Sequence, residues 1–161
     1  MLLKLCGAAL LTLAGAAGGG WYAKRLRLRR DFLCDFIAFL DTLATLLRYR
    51  NEDIFTSVNS SGELIRFPPE ARQQPFAQAW EAQTAALPMR YALSRQDTAL
   101  LHAFGAKLGA TDIQGQLSHI ALYRTLFEKQ LAAADEDIKS KAKLYRTLGI
   151  FTGASAALMM I

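Results

Sequence analysis

The sequence predicts an all-α protein, an antiparallel helical bundle with an apolar helix at each end. Apolar residues recur at spacings of three and four along most of the chain, and no alternating strand pattern stands out. Short helical segments lie between two long ones, which makes an antiparallel bundle the simplest arrangement. Both ends lack charge, because residues 5–22 and 148–161 contain no Asp, Glu, Lys or Arg.

Each apolar end has a cluster of basic residues on its inner side, here called a collar. The N-terminal collar comprises Lys24, Arg25, Arg27, Arg29 and Arg30, and the C-terminal collar comprises Lys139, Lys141, Lys143 and Arg146. Basic residues that flank membrane spans stay on the cytoplasmic side. We therefore expect a transmembrane helix at residues 1–23, a cytoplasmic helical bundle at 24–146 and a second transmembrane helix at 147–161.

The two apolar ends allow alternatives. With Lys4 in front, the first resembles a signal peptide, which would make the chain a secreted helical protein. Its length and the positive charge after it favour an uncleaved anchor. The second end has 14 residues, which extend about 21 Å as a helix against a hydrocarbon core of roughly 30 Å. We expect a complete span there, with a partly inserted anchor as the alternative.

The charge of the middle segment excludes one class of partner. The formal net charge is +5, but residues 31–138 hold nine basic residues against all 14 acidic ones. A nucleic-acid-binding domain has a basic face, so we expect no nucleic-acid partner. Cys6 and Cys34 lie on opposite sides of the N-terminal collar, so they are not expected to pair, and neither has metal-site spacing.

The first long helix is expected to continue out of the N-terminal apolar segment. Its core positions recur at helical spacing: Phe36, Phe39, Leu40, Leu43, Leu46 and Leu47. Asn51 is the expected N-cap of a short helix that residues 60–62 end. Pro68 and Pro69 open the next helix, since proline is tolerated in a first turn, and that helix ends before Pro88.

Capping residues mark the last two helices. Ser94, with Asp97 three residues later, is the expected N-cap of one, and Gly109 takes the left-handed conformation after it. Thr111 and Gln114 form the expected capping box of the other. Its apolar stripe comprises Ile113, Leu117, Ile120, Phe127, Leu131, Ala134, Ile138, Ala142 and Tyr145. This helix, of roughly 35 residues, is expected to enter the membrane.

Residues that could carry catalysis or bind a metal are sparse. Ser118 precedes His119, but adjacent residues on a helix point about 100° apart and form no nucleophile–base pair. Asp135, Glu136 and Asp137 fan around the axis as a solvated acidic turn rather than a metal site. We expect no enzymatic activity, cofactor, metal or small-molecule substrate. A small membrane-anchored enzyme using His119 is the alternative.

Small residues recur at a spacing of four in both apolar ends, at Gly15 and Gly19 and at Gly149, Gly153 and Ala157. This spacing lets helix backbones approach closely in lipid. It predicts packing against another membrane helix, from this chain or from a partner.

Gly115 lies in the first turn of the last helix, where glycine costs about 1 kcal/mol relative to alanine. It predicts the close approach of another backbone. Gln116 beside it is expected to hydrogen-bond across that contact.

Two motifs resemble the stage III sporulation protein AB family. Residues 108–116 look like its Leu-Gly-x-Ser/Thr-Asp-x-x-Gly-Gln signature, with matches that include Thr111, Asp112, Gly115 and Gln116. Residues 141–149 look like its Lys-x-Lys-Leu-Tyr-Arg-x-Leu-Gly entry into the last membrane segment, with matches that include Lys143, Leu144, Tyr145, Arg146 and Gly149. Residues 3–7 resemble its start. Residues 50–88 are less typical, because Asp53 and Ile54 stand where the family usually has Pro-Leu.

The resemblance implies a non-enzymatic platform in the channel built between mother cell and forespore during endospore formation. The family is similar to the cytoplasmic domain of the platform protein of type II secretion and type IV pilus machines, which couples an ATPase to the membrane complex. By analogy, the partners are the stage III sporulation AA ATPase and other membrane components of the channel. The protein would lie in the mother-cell membrane around the forespore, with its central domain cytoplasmic and both motifs used for architecture and partner contact.

Overall fold

The computed structural model describes the backbone of residues 2–50 and 52–158 and the side-chain environments of residues 21–50, 52–141 and 144. Two long helices are present, α1 (Leu2–Tyr49) and α6 (Ile113–Leu158). Between them come α2 (Ile54–Ser60), a 3-10 helix (Pro69–Gln73), α3 (Phe76–Thr84), α4 (Leu87–Arg90) and α5 (Arg95–Lys107). The described residues contain no β-strand, so the predicted all-α fold is confirmed.

The two long helices lie side by side and run antiparallel. Arg30 Nε on α1 donates to Asp135 Oδ1 on α6 at 3.0 Å, and Arg124 Nε on α6 donates to Asp41 Oδ1 on α1 at 2.6 Å. The two pairs are eleven residues apart on each helix, which is close to three turns at 3.6 residues per turn. The helices therefore keep the same faces together over that length.

The core forms between this helix pair and the short helices. Phe36 on α1 is fully buried, and its ring centroid lies 4.6 Å from Phe127 on α6, 5.8 Å from Phe104 on α5 and 6.5 Å from Trp80 on α3. The other predicted core residues of α1 are also buried, except that Leu46 is half-buried. Periodicity alone therefore identified the buried face of α1.

The apolar stripe of α6 is buried or half-buried through Ile138, with one exception. Ile113 is 48% exposed, because the register of the antiparallel pair places it beyond Tyr49, the last residue of α1. Ala142 and Tyr145 lie outside the residues whose side chains are described.

The stretch from Pro68 to Pro88 was predicted as one helix, and this prediction is wrong. It contains the 3-10 helix, α3 and the first turn of α4. Pro75 holds the preceding Gln74 in the extended region, at φ −125° and ψ 161°, which separates the 3-10 helix from α3. Pro88 lies in the first turn of α4 rather than after a helix, where its missing N–H costs no intrahelical bond.

Most of the predicted helix ends are observed. Ser94 and Asp97 form a capping box, in which the Asp97 N–H donates to Ser94 Oγ at 3.1 Å and the Ser94 N–H donates to Asp97 Oδ2 at 2.8 Å. Gly109 has φ +81°, the left-handed conformation expected after α5. The N-cap of α2 is Asp53, whose Oδ1 accepts from the Phe55 N–H at 2.7 Å. The predicted cap, Asn51, lies outside the described residues.

Within the part of the chain that the structure describes, we find no helix with the length and apolarity that a membrane span needs. The predicted segments 1–23 and 147–161 fall almost entirely outside the residues whose side chains are described, as do Gly15, Gly19, Gly149 and Gly153. The two transmembrane helices, the packing of their glycines and the division of the chain into three segments stay predictions.

Candidate functional site

The first motif forms the turn between α5 and α6. Asp112 precedes the helix, and its Oδ1 accepts from the Gly115 N–H at 3.0 Å. The Gln116 side chain reaches back and donates from Nε2 to the Thr111 carbonyl at 2.9 Å. The predicted capping box of Thr111 and Gln114 is therefore wrong, because the N-cap lies one residue later. The Asp112 carboxylate is the cap, which places a negative charge at the positive end of the helix.

The close neighbours of Gly115 belong to its own turn. A Cβ at this position would lie 2.7 Å from Thr111 Oγ1 and 2.9 Å from Asp112 Oδ1. Glycine therefore makes room for the side chains of Thr111 and Asp112, and the three atoms nearest to the built Cβ all belong to them rather than to a second backbone. Gln116 likewise bonds within the turn rather than across a contact. These residues therefore bond within the turn that begins α6, and the motif's role in architecture and partner contact stays a prediction.

The second motif begins on the described part of α6. Lys141 Nζ lies 2.9 Å from Asp137 Oδ1, and this hydrogen bond raises the pKa of Lys141. The same ammonium lies 6.0 Å from the ring centroid of Tyr22 on α1. Leu144 is 55% exposed. Lys143, Tyr145, Arg146 and Gly149 lie outside the residues whose side chains are described.

One collar arginine is a core residue, which the sequence did not reveal. Arg29 is buried, and its Nε lies 2.6 Å from Asp97 Oδ2 on α5, while Nη2 donates to Asp97 Oδ1 at 3.1 Å. Nη2 also lies 3.4 Å from Gln130 Oε1, and Nη1 lies 3.5 Å from Asp137 Oδ2, both on α6. The hydrogen bonds to Asp97 raise the pKa of Arg29. This arginine joins α1, α5 and α6.

The acidic turn on α6 was predicted to be solvated, but two of its three carboxylates form ion pairs. Asp135 bonds to Arg30, and Asp137 contacts both Arg29 and Lys141. Glu136 is exposed and forms no ion pair with a described residue. Two of the three carboxylates therefore balance collar charges, and only Glu136 is available to a partner.

His119 packs at the edge of the core. Its Nε2 lies 3.0 Å from the Phe104 carbonyl, and because a carbonyl only accepts, Nε2 carries the proton and donates it. The ring stacks on Phe104 at 5.3 Å between centroids and lies 4.6 Å from Tyr123. The Ser118 hydroxyl donates to the Gln114 carbonyl rather than to His119, so this adjacent pair forms no nucleophile–base contact.

Possible metal ligands are scattered. Across the residues with described side chains, no group of three His, Cys, Asp or Glu is close enough to hold a metal ion. Cys34 is a free thiol, and Cys6 lies outside these residues. The absence of a cofactor and of enzymatic activity stays a prediction.

One close contact between helices was not predicted. A Cβ built on Gly105 of α5 would overlap the indole ring of Trp80 on α3. Trp80 is 1% exposed, and its Nε1 donates to the Leu101 carbonyl at 3.0 Å. Gly105 lies in the middle of α5, one turn after Leu101. Glycine in a helix interior costs about 1 kcal/mol relative to alanine, and its presence there was the only sequence signal for this contact.

Comparison with known proteins identifies the same family as the two motifs do. A family model described as stage III sporulation protein AB matches residues 4–161. A search of curated proteins and a search of solved structures each returned no significant match. The family match covers both motifs and the bundle between the collars.

Proposed function

Because the chain belongs to the stage III sporulation protein AB family, and so has a role in that stage of sporulation, we propose that it is a non-enzymatic membrane platform. Its bundle docks the stage III sporulation AA ATPase to the other membrane components of the mother cell–forespore channel. In this proposal the protein lies in the mother-cell membrane around the forespore, with the bundle in the cytoplasm.

One observation carries the proposal beyond the family. The described parts of the two collars lie at the same end of the bundle, because Lys141 on α6 lies beside Tyr22 on α1. Residues 5–22 and 148–161 continue the chain from this end. Two apolar segments that leave one end of a bundle suit attachment to a single membrane. The surface beside the collars, where Glu136 on α6 is exposed, is then available to a cytoplasmic partner close to the membrane.

The ion pairs between helices at the collar end of the bundle support a platform role. Arg29 and Arg30 on α1 pair with Asp97 on α5 and with Asp137 and Asp135 on α6. The short-helix side of the bundle is thereby tied to both long helices at the point where they leave it. A force applied by a partner to the bundle would reach both membrane segments together.

Topology is tested with single cysteines in a chain in which Cys6 and Cys34 are replaced by serine. Ser140, exposed on α6 beside the collar, is changed to cysteine in one variant, and a cysteine is added after Ile161 in the other. With an impermeant maleimide on intact vegetative cells, we expect only the added C-terminal cysteine to react. Labelling of Ser140→Cys in intact cells would contradict a cytoplasmic bundle.

Partner docking is tested by co-purification of the ATPase with the full chain from sporulating cells. Glu136→Lys reverses the one carboxylate of the acidic turn that has no ion pair with a described residue, so we expect it to leave the fold intact. Glu81→Lys, an exposed position on α3, is the matched control. We expect wild type and Glu81→Lys to retain the ATPase and Glu136→Lys to retain less. Failure of the wild-type chain to retain it would reject the platform role.

A further inference from the structure

The structure divides the described collar cations into two groups. Three form ion pairs with carboxylates of the bundle: Arg29 with Asp97, Arg30 with Asp135 and Lys141 with Asp137. Four others are exposed and form no ion pair with any described residue: Lys24, Arg25 and Arg27, which are the unpaired cations of α1, and Lys139 on α6. The unpaired positive charge of the N-terminal collar therefore lies on its first three residues, between positions 24 and 27.

An exposed aromatic residue lies beside the unpaired group. Trp21 is 61% exposed, and the Arg25 guanidinium lies 4.9 Å from the centroid of its ring, which is a cation–π contact. Lys24 follows Trp21 by three residues and therefore lies on the same side of the helix. Tryptophan is enriched where the hydrocarbon of a membrane meets water, because its ring is apolar and its N–H is polar.

No acidic residue interrupts this surface, since residues 21–28 contain none. The first acidic residue after them is Asp31, which lies 3.3 Å from Arg30 and is occupied by that arginine. An anion approaching the three unpaired cations would therefore meet no carboxylate from the same stretch of α1.

We propose that Trp21, Lys24, Arg25 and Arg27 form a surface that binds the headgroups of anionic phospholipids in preference to zwitterionic ones. The phosphate oxygens would accept hydrogen bonds from the ammonium and guanidinium groups. The paired cations contribute little, because their charge is already balanced by carboxylates. This inference rests on the membrane attachment in the proposed function and adds to it the class of lipid and the residues that select it.

The test uses the full chain reconstituted in bilayers of phosphatidylcholine with brominated acyl chains, which quench the fluorescence of lipid-facing tryptophan. Unbrominated phosphatidylglycerol or unbrominated phosphatidylcholine is then added as the competitor. Trp80 is buried in the bundle and gives a constant background, so the change reports on Trp21. We expect phosphatidylglycerol to relieve the quenching at a concentration at least about threefold lower than phosphatidylcholine.

Two double variants assign this preference to residues. Lys24→Gln/Arg27→Gln leaves Trp21 and Arg25 in place. It is expected to bring the ratio of the phosphatidylcholine to the phosphatidylglycerol concentration that relieves the quenching close to one. Arg48→Gln/Lys107→Gln removes the same charge from exposed positions near the opposite end of the bundle and is expected to leave the ratio unchanged. Equal loss in both variants, or no loss in the first, would overturn the assignment.

The result also separates this inference from the proposed function. Quenching of Trp21 without any headgroup preference would overturn the lipid-binding surface and leave membrane attachment standing. Complete absence of quenching of Trp21 would overturn the lipid-binding surface, and failure of the chain to associate with the bilayers at all would reject membrane attachment as well.

Discussion

Arg29 on α1 and Asp97 on α5 form a buried ion pair in which Nε and Oδ2 are 2.6 Å apart. Asp97 is inaccessible to solvent and also accepts the Ser94 N–H, at 2.8 Å. One carboxylate thus completes the cap of α5 and holds that helix to α1. Burial of charge is tolerated here because each group is hydrogen-bonded by the other.

Removal of Arg29 should destabilise the bundle strongly. Arg29→Met leaves the Asp97 carboxylate buried without its partner, so we expect the free energy of unfolding to fall by about 3–5 kcal/mol. Urea unfolding of the detergent-solubilised chain, followed by Trp80 fluorescence, measures it. Arg30→Met breaks an exposed pair of the same kind and is the control, with a much smaller effect expected. Equal losses would contradict the structural role of the buried pair.

The pKa of Arg29 predicts how this stabilisation depends on pH. Because the pKa is raised in the folded state by Asp97, the arginine stabilises the fold fully at every pH below its ordinary pKa. The stabilisation is lost only above that value. Arg29 stays charged in the folded and unfolded chain between about pH 6 and 9. Its titration should therefore contribute no pH dependence, over that range, to the difference in unfolding free energy between wild type and Arg29→Gln.

Gly105→Ala should destabilise the chain, although the same change in an unobstructed helix stabilises it by about 1 kcal/mol. The new methyl group would overlap the Trp80 ring, and overpacking of this kind costs about 1–3 kcal/mol or more. Chemical unfolding measures the loss. Combination with Trp80→Phe, which shrinks the ring, should cost less than the sum of the two single changes. Additive losses would mean that the two residues do not oppose each other.

Gly115→Ala should weaken the start of α6. Its Cβ would crowd Thr111 and Asp112, and loss of an N-cap costs about 0.5–2 kcal/mol. We expect a loss of unfolding free energy similar to that of Asp112→Ala, which removes the cap directly, with the ATPase still co-purifying. Loss of the ATPase at unchanged stability would instead show that this turn contacts the partner.

His119 should matter for stability rather than for chemistry. His119→Ala removes the stacking on Phe104 and the hydrogen bond to its carbonyl, which should cost about 1–2 kcal/mol. His119→Gln keeps an N–H donor and should support spore formation at the wild-type frequency. A catalytic histidine would make both variants fail to sporulate while the protein remained folded and at wild-type abundance.

Some features of the chain depend on residues close in sequence, and these could be predicted. The buried face of α1 follows from apolar spacing, and the cap at Ser94 and the left-handed Gly109 each depend on a few neighbouring residues. Predictions failed where neighbouring residues could each cap or end the same helix. Asp112 rather than Thr111 caps α6, and Pro75 and Pro88 divide the stretch that was predicted as one helix.

The sequence by itself determined the two long helices, the apolar ends and the family, because spacing and motif can be read along one chain. Only the tertiary structure decided what each collar arginine does. Arg25 and Arg29 are one turn apart on the same helix, yet Arg25 is exposed beside Trp21 and Arg29 is buried against Asp97. The reason is that Arg29 and Asp97 are 68 positions apart in the sequence. Only the packing of α5 on α1 brings their charges together.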